Sequence, residues 1–506
     1  MADSFAVARN RLILGLCLPL AILLGYLLAE PLEASTQAIL LLLFGVLCVP
    51  LWLRWHHPIL VFAWGSTLYL GVLGQPPLWI GLAFLGFLHV LVTRAVHPER
   101  KLIWVPQFVI PLCAFAAVVG VTAALTGGIG LQILGSDRVG GRGYVYIGAA
   151  ILGFFALVSQ RVPVSRAQLY AGLFFLAGLT GLASNLIYYA PPLYFLYRWF
   201  PAHMALDQWM AEYAVGDYAA RIAGFTVGSF AITAFVLARY GLNGVFDLTR
   251  PWRLALLLVG VISSTWSGFR SAFLFQILVL LVLFTMEGYW KTRYAWVLLG
   301  VGLLLGAGLV GFSDRLPAVV QRSVSFLPVK VDPWVKYSAQ TSTEWRLEMW
   351  KAVLPEVPRY LLLGKGYLLD ANELAAMTDL AQRSGGVRWE GAAYTGDYHN
   401  GPLSVVIPFG IWGAGTFLWL LGAGAWVLRQ NYRHGLPQLR SINALLLACY
   451  LTRVLFFFGV FGALYLDLYQ FVGLVGLSIA LNGGVRRKPE FAPAQVSPVE
   501  PRPGGW

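Results

Sequence analysis

The chain has 506 residues, of which 58% are hydrophobic and only 12% charged, and its mean hydropathy is +0.70. A soluble chain carries about 25% charged residues, so this composition excludes a soluble globular enzyme. Repeated apolar runs of about 17–25 residues point instead to helices that cross a bilayer. The runs do not alternate, which argues against a transmembrane β-barrel. The net charge of +13 reads as basic inner loops rather than as a nucleic-acid surface.

The first apolar run begins at Leu12, after Arg9 and Arg11. No A-x-A-like cleavage site closes it, so it is expected to stay as a membrane span. Further spans are expected over 37–53, 59–74, 77–93, 102–125, 143–159, 167–188, 220–239, 252–266, 268–287, 293–312, 400–428, 440–461 and 463–482. The fold class is then an all-α polytopic membrane protein of roughly 12–14 transmembrane helices. With the N-terminus inside, every short inner connection is basic: Arg54; Arg94, Arg100 and Lys101; Arg161 and Arg166; Arg239, Arg250 and Arg253; Lys291 and Arg293; Arg429, Arg433 and Arg440. The short outer loops are acidic or neutral, with Glu30 and Glu33 in the first. This is a positive-inside pattern with both termini in the cytoplasm. The chain divides into transmembrane helices over 1–312, an outer loop or cap over 313–399, transmembrane helices over 400–482, and a disordered cytoplasmic tail over 483–506. Cys17, Cys48, Cys113 and Cys449 all lie in apolar runs without metal or redox spacing and read as packing residues.

The outer block holds ten basic and ten acidic residues, a balance that suits a folded cap better than a linker. Thr341 with Glu344 three residues on is a capping-box signature. It predicts a helix through Trp345, Met349, Trp350 and Val353 that ends near Pro358. Helical spacing puts Arg346 on the side of Trp350 and Val353, turned towards a cleft, although a snorkelling or structurally paired arginine gives the same spacing. His399 sits where the block re-enters the membrane, followed by Asn400, with Asp397 two residues before. A neutral imidazole there can accept a proton near pH 7. Arg270, in Ser267-Gly268-Phe269-Arg270, lies at an outer turn whose small residues let an anion approach a bidentate guanidinium; here too, snorkelling is the alternative. Arg221 is a weaker copy of the same logic.

These residues resemble the O-antigen ligase and O-antigen polymerase superfamily of bacterial membrane glycosyltransferases. Three signatures match in order across about residues 215–430. Ser267-Gly268-Phe269-Arg270 looks like the family's small-residue-plus-arginine turn. Arg346 and Trp350, followed by Gly364-Lys365-Gly366-Tyr367, look like its arginine helix and glycine turn. His399-Asn400, nine residues, Gly410, two residues and Gly413 look like its histidine motif. Ala414 departs from the threonine or tyrosine often found next, which tilts the reading from ligase towards polymerase.

The resemblance implies a GT-C-like helical fold and an undecaprenyl-diphosphate-linked glycan donor. It implies transfer at the periplasmic face of the bacterial inner membrane, to the lipid A core or to a lipid-linked repeat unit. Arg270 and Arg346, with Arg221, would hold the donor diphosphate, and His399 would be the base on the acceptor hydroxyl or would position it. Asn400, Ser267, Gly268 and Trp350 would support them. A chain-length regulator is among the partners such an enzyme can take; no nucleic acid is expected. A base opposite the leaving group gives inversion. No acidic pair dominates the outer loops, so no metal and no cofactor are expected. A flippase for the same lipids is the alternative. It calls for ionisable residues inside the spans, of which only His89, Arg453 and Asp467 stand out.

Overall fold

In the computed structural model of the chain, the described residues are 34–71, 75–99, 101–130, 140–188, 190–200, 222–369, 372–373, 375 and 389–487, with 15, 17–22 and 24–25 near the start. Arg221, Glu30, Glu33 and the tail beyond 487 lie outside them. Residues 1–59 and 60–506 form two compact units.

The described residues are helical almost throughout. In chain order the helices are α1 (Ala34–Gly65), α2 (Leu78–Val96), α3 (Pro106–Thr126), α4 (Gly141–Leu157), α5 (Ala167–Leu176), α6 (Thr180–Tyr188), α7 (Gly224–Val245), α8 (Trp252–Ser263), α9 (Arg270–Met286) and α10 (Arg293–Phe312). The outer block contributes α11 (Ala318–Val324), α12 (Pro333–Val353), the single turn α13 (Val357–Tyr360) and α14 (Trp389–Tyr394). Last come α15 (Gly401–His434), α16 (Arg440–Gly459) and α17 (Leu464–Asn482). Nine helical stretches among the described residues are long and apolar enough to span a membrane, and Gly141–Leu157, Trp252–Ser267 and Arg270–Met286 are shorter apolar helices. Large apolar side chains such as Leu88, Val92, Trp296 and Leu304 point outwards, which suits a surface solvated by lipid. The chain is an all-α polytopic membrane protein.

Two expectations are corrected. α1 runs unbroken through Arg54 and across Pro50 and Pro58, so the spans expected at 37–53 and 59–74 are one helix and no inner loop forms at Arg54. One crossing is removed from the alternation, and the side of the N-terminus no longer follows from it. The capping box also fails. α12 begins eight residues before Thr341, at Pro333, where Asp332 accepts the Trp334 N–H through its side chain at 2.8 Å. Thr341 lies inside the helix and donates its hydroxyl back to the Tyr337 carbonyl at 3.0 Å, the usual choice of an interior threonine. α12 ends at Val353, ahead of Pro355, rather than at Pro358. Among the cysteines, only Cys449 is buried; Cys17 and Cys113 are exposed and Cys48 lies between.

The bundle around the site is set by α15, which packs against α3, α16 and α17. Its first turn fits closely: a Cβ on Gly401 would lie 2.2 Å from the Phe457 carbonyl of α16. Ser404 accepts the Leu464 N–H at the start of α17 at 2.9 Å.

Ten residues past Asn400, roughly 15 Å at 1.5 Å per residue, α15 breaks at Gly410 (φ 62°, ψ −160°) just after Pro408. The break meets a second one. In unbroken helices Leu361 would accept from Lys365, and Ile407 from Ile411. Here the partners are exchanged: the Lys365 N–H donates to Ile407 at 2.8 Å and the Ile411 N–H to Leu361 at 2.7 Å. The Gly366 N–H adds a bond to Pro408 at 2.9 Å. Gly364 turns with φ +71°, and a Cβ on it would lie 2.3 Å from the Pro408 carbonyl. A Cβ on Gly413 would lie 2.2 Å from that of Phe409. The glycine turn of the outer block and the two glycines after the histidine are thus halves of one latch. It satisfies backbone groups that hydrocarbon would leave unpaired.

Candidate functional site

Arg270 is the first residue of α9. Gly268 turns the chain into that helix in the left-handed region, at φ 71°. The buried Ser267 hydroxyl braces the turn, accepting the Phe269 N–H at 3.1 Å and donating to Ser264 at 2.7 Å. The guanidinium then reaches α12, where Nη2 donates to the Ala339 carbonyl and to Thr343 Oγ1, both at 3.1 Å.

Thr343 and Arg346 are one helical turn apart, so the two guanidiniums share one stretch of α12. Burial, and then the charge of Arg270, push the Arg346 pKa below the ordinary arginine range; Asp397 works against them. Arg346 makes no hydrogen bond or ion pair with any described residue. A half-buried guanidinium beside a second one, with no carboxylate in direct contact, is a site short of negative charge.

His399 supplies the other half. Among the described residues it is one of two non-glycine residues with positive φ, at 49°, a conformation uncommon for a side-chain-bearing residue and worth a functional reading. The turn folds its ring back onto Asp397, with Nδ1 3.0 Å from Oδ1. The Asp397 carbonyl lies 3.2 Å from the same nitrogen. Trp345 of α12 and Phe461 of the α16–α17 turn present ring edges to the imidazole at 5.1 Å and 4.9 Å. With its proton on Nδ1 towards Asp397, the ring presents Nε2 as an acceptor, and Nε2 has no partner among the described residues. A carboxylate that holds an imidazole in this way can set it up as a base, as in other acid–base dyads.

The expected supporting residues take defined structural parts. Asn400 caps α15, accepting the Leu403 N–H through its side chain at 3.1 Å. Trp350 donates Nε1–H to the Tyr398 carbonyl at 2.8 Å, tying α12 to the residue before His399. Met349, Val353, Tyr398, Leu403 and Ile407 pack into one apolar cluster beneath this tie. Ser267, Gly268, Arg270, Arg346, Trp350, His399 and Asn400 are thereby joined through α12 and the start of α15.

Sequence reasoning missed two features. Arg322, only 6% exposed, donates to Ser342 of α12 at 3.1 Å. Its neighbour Ser323 bonds the Thr265 carbonyl at 2.7 Å, so α11 joins the arginine turn to α12. Phe461 as a wall of the imidazole carried no local signal. The Asp397–His399 contact, by contrast, was legible in the D-x-H spacing. Among the described residues no group of three or more His, Cys, Asp or Glu is assembled that could hold a metal ion.

Residues 254–418 match the family model described as O-antigen ligase. No curated protein matches the chain. The matched stretch contains Arg270, Arg346, His399, Asn400 and both latch glycines of α15. The match spans about a third of the chain and supports a place in the O-antigen ligase and polymerase superfamily.

Proposed function

We propose that the chain transfers a glycan from a polyprenyl-diphosphate donor to an acceptor hydroxyl, with inversion and without a metal, at the outer face of the bacterial inner membrane. His399 is the base and Asp397 orients it. Arg346 and Arg270 hold the diphosphate, and the block over 313–399 covers the site. The bond from the anomeric carbon to the diphosphate oxygen breaks, and its electron pair stays on the diphosphate. The acceptor oxygen bonds to that carbon from the opposite face and its proton passes to His399 Nε2. Negative charge grows on the leaving group, where guanidiniums fixed in advance stabilise it most. The observation that carries this reading is the pairing of an oriented, open imidazole nitrogen with two guanidiniums short of counter-charge on one helix face.

A flippase reading is less well supported. The ionisable groups expected to line a path are matched within the protein: Arg453 Nη1 lies 3.6 Å from Asp467 Oδ1, and His89 hydrogen-bonds Thr93 at 3.3 Å. The deciding test is lipid-linked glycan in cells whose only copy is His399→Ala, at equal membrane expression. Donor accumulating with loss of the long glycan supports transfer; unchanged glycan overturns it. Repeating the assay in cells without the lipid A core separates ligation, which stops, from polymerisation, which continues.

A further inference from the structure

α3 and α15 pack closely side by side, with Phe115 meeting Phe409 and Phe417 at 6.2 Å and 5.6 Å. Towards the end of the pair remote from His399, the contact opens into a groove of about 500 Å³. Ile110 and Pro111 of α3 form one wall; Trp419, Gly422, Ala423 and Trp426 of α15 form the other. Ile110 and Trp419 are exposed, so the groove opens onto the surface. Gly422 makes a notch between the two indoles: a Cβ added there meets nothing within 4 Å. Trp426, Arg429 and Arg433 follow one another at spacings of three and four residues. Both arginines are exposed and continue the wall of the groove along one face of α15. The proposed reaction gives none of these residues a task.

We propose that this groove holds one anionic phospholipid, with an acyl chain between α3 and α15 and the phosphate on Arg429 and Arg433. The site is separate from the transfer chemistry and does not depend on it.

Three observations carry it. The first is depth. α15 has 34 residues, roughly 50 Å along its path and more than a hydrocarbon layer of about 30 Å requires. Its last turns therefore reach headgroup level, where a guanidinium stays solvated. Trp419 lies ten residues before Arg429, roughly 15 Å or the depth of one leaflet. A chain that enters beside the arginines thus runs the length of the groove. The second is charge. Neither α3 nor α15 contains an acidic residue, and neither Arg429 nor Arg433 makes a hydrogen bond or ion pair with any described residue. The start of α3 lines the same mouth through Pro106 and Gln107. It has no side-chain cap and no acidic residue in its first turn, so the positive end of that helix adds to the field of the arginines. The third is the supply of donors. The indole N–H groups of Trp419 and Trp426 and the side-chain amide of Gln107 have no partner among the described residues. An apolar trough under a cationic mouth with free N–H donors matches a phosphodiester carried on acyl chains.

The test uses the purified full-length chain in detergent and native mass spectrometry, which counts bound lipids. Phosphatidylglycerol and phosphatidylcholine with identical acyl chains are titrated separately. The wild type is expected to take its first phosphatidylglycerol about tenfold more tightly, the scale of two basic side chains at a lipid surface. Arg429→Gln with Arg433→Gln should remove that preference and leave the affinity for phosphatidylcholine unchanged; Arg429→Lys with Arg433→Lys should keep most of it. Gly422→Leu fills the notch, leaves both arginines in place, and should weaken both lipids. Equal affinity of the wild type for the two lipids overturns the proposal. So does a preference that survives the double glutamine variant, which puts the lipid elsewhere. Undiminished affinity in Gly422→Leu also overturns it, reducing the site to two arginines at an ordinary membrane surface. A polyprenyl phosphate that displaces phosphatidylglycerol from the wild type but not from Gly422→Leu would give the groove to a carrier lipid, and the proposal falls in that case too.

Discussion

Replacing Gly410 by alanine tests the latch that seats the outer block on α15. At φ 62°, ψ −160° the backbone is in a region that only glycine occupies freely, and a side-chain-bearing residue there costs about 1–3 kcal/mol. The new Cβ would lie 2.7 Å from the Leu361 carbonyl and 3.0 Å from that of Leu362. Leu361 is the acceptor of the Ile411 N–H at 2.7 Å, so relieving the clash stretches that bond, worth about 1 kcal/mol. The total is about 2–4 kcal/mol. Gly415, on the same helix, has nothing within 4 Å of its added Cβ. There alanine removes only a glycine's helix penalty, so a gain of up to about 1 kcal/mol is expected. Urea unfolding in mixed micelles measures both variants, and proteolysis of the outer block reports where the loss falls. The pair Gly364→Ala and Gly410→Ala should be less than additive, since either one opens the same latch. A Gly410→Ala variant as stable as Gly415→Ala, or full additivity of the pair, would refute the exchange of hydrogen bonds.

The other predictions concern the site. Asp397→Asn should lower kcat by about 10²–10⁴, the range of a general base, with donor KM little changed; wild-type turnover would make the carboxylate structural. Arg346→Met should cost at least about tenfold in turnover yet raise the unfolding temperature of the ligand-free protein. A base whose pKa falls on folding binds its proton less tightly when folded, so its charge opposes folding at every working pH, and removing it should stabilise. A lowered unfolding temperature would count against the charge imbalance. Glycan transfer should persist at full rate in excess chelator; loss restored by Mg²⁺ or Mn²⁺ would overturn the metal-free mechanism.

Much of the site could be read from residue order, because its parts are local. The histidine motif resolves into parts with separate physical tasks: His399 faces Asp397, Asn400 caps, Gly410 breaks and Gly413 makes room for Phe409. What the sequence hid was what each part meets. The exchange between Leu361–Gly366 and Ile407–Ile411 is a tertiary event, and periodicity does not report on it. The false capping box arose because Thr341 and Glu344 have the right spacing inside a helix that Asp332 and Pro333 had already begun. The missing loop at Arg54 shows the opposite error. A basic residue between two apolar runs read as a connection, but α1 continues through Arg54 and across Pro50 and Pro58.

With His399 at the bilayer surface, as proposed, the latch has a consequence for how the enzyme senses its lipids. The segment Leu361–Gly366 meets α15 roughly 15 Å below the entry point, about half the depth of a 30 Å hydrocarbon layer. Leu362 and Leu363 at its tip are both 69% exposed. The cap is therefore a wedge whose point is immersed in acyl chains while its base carries Arg346. Changing the thickness of the membrane would push or pull that point, and the strain would reach the arginine without any ligand touching it. Turnover in vesicles of graded acyl-chain length should pass through an optimum.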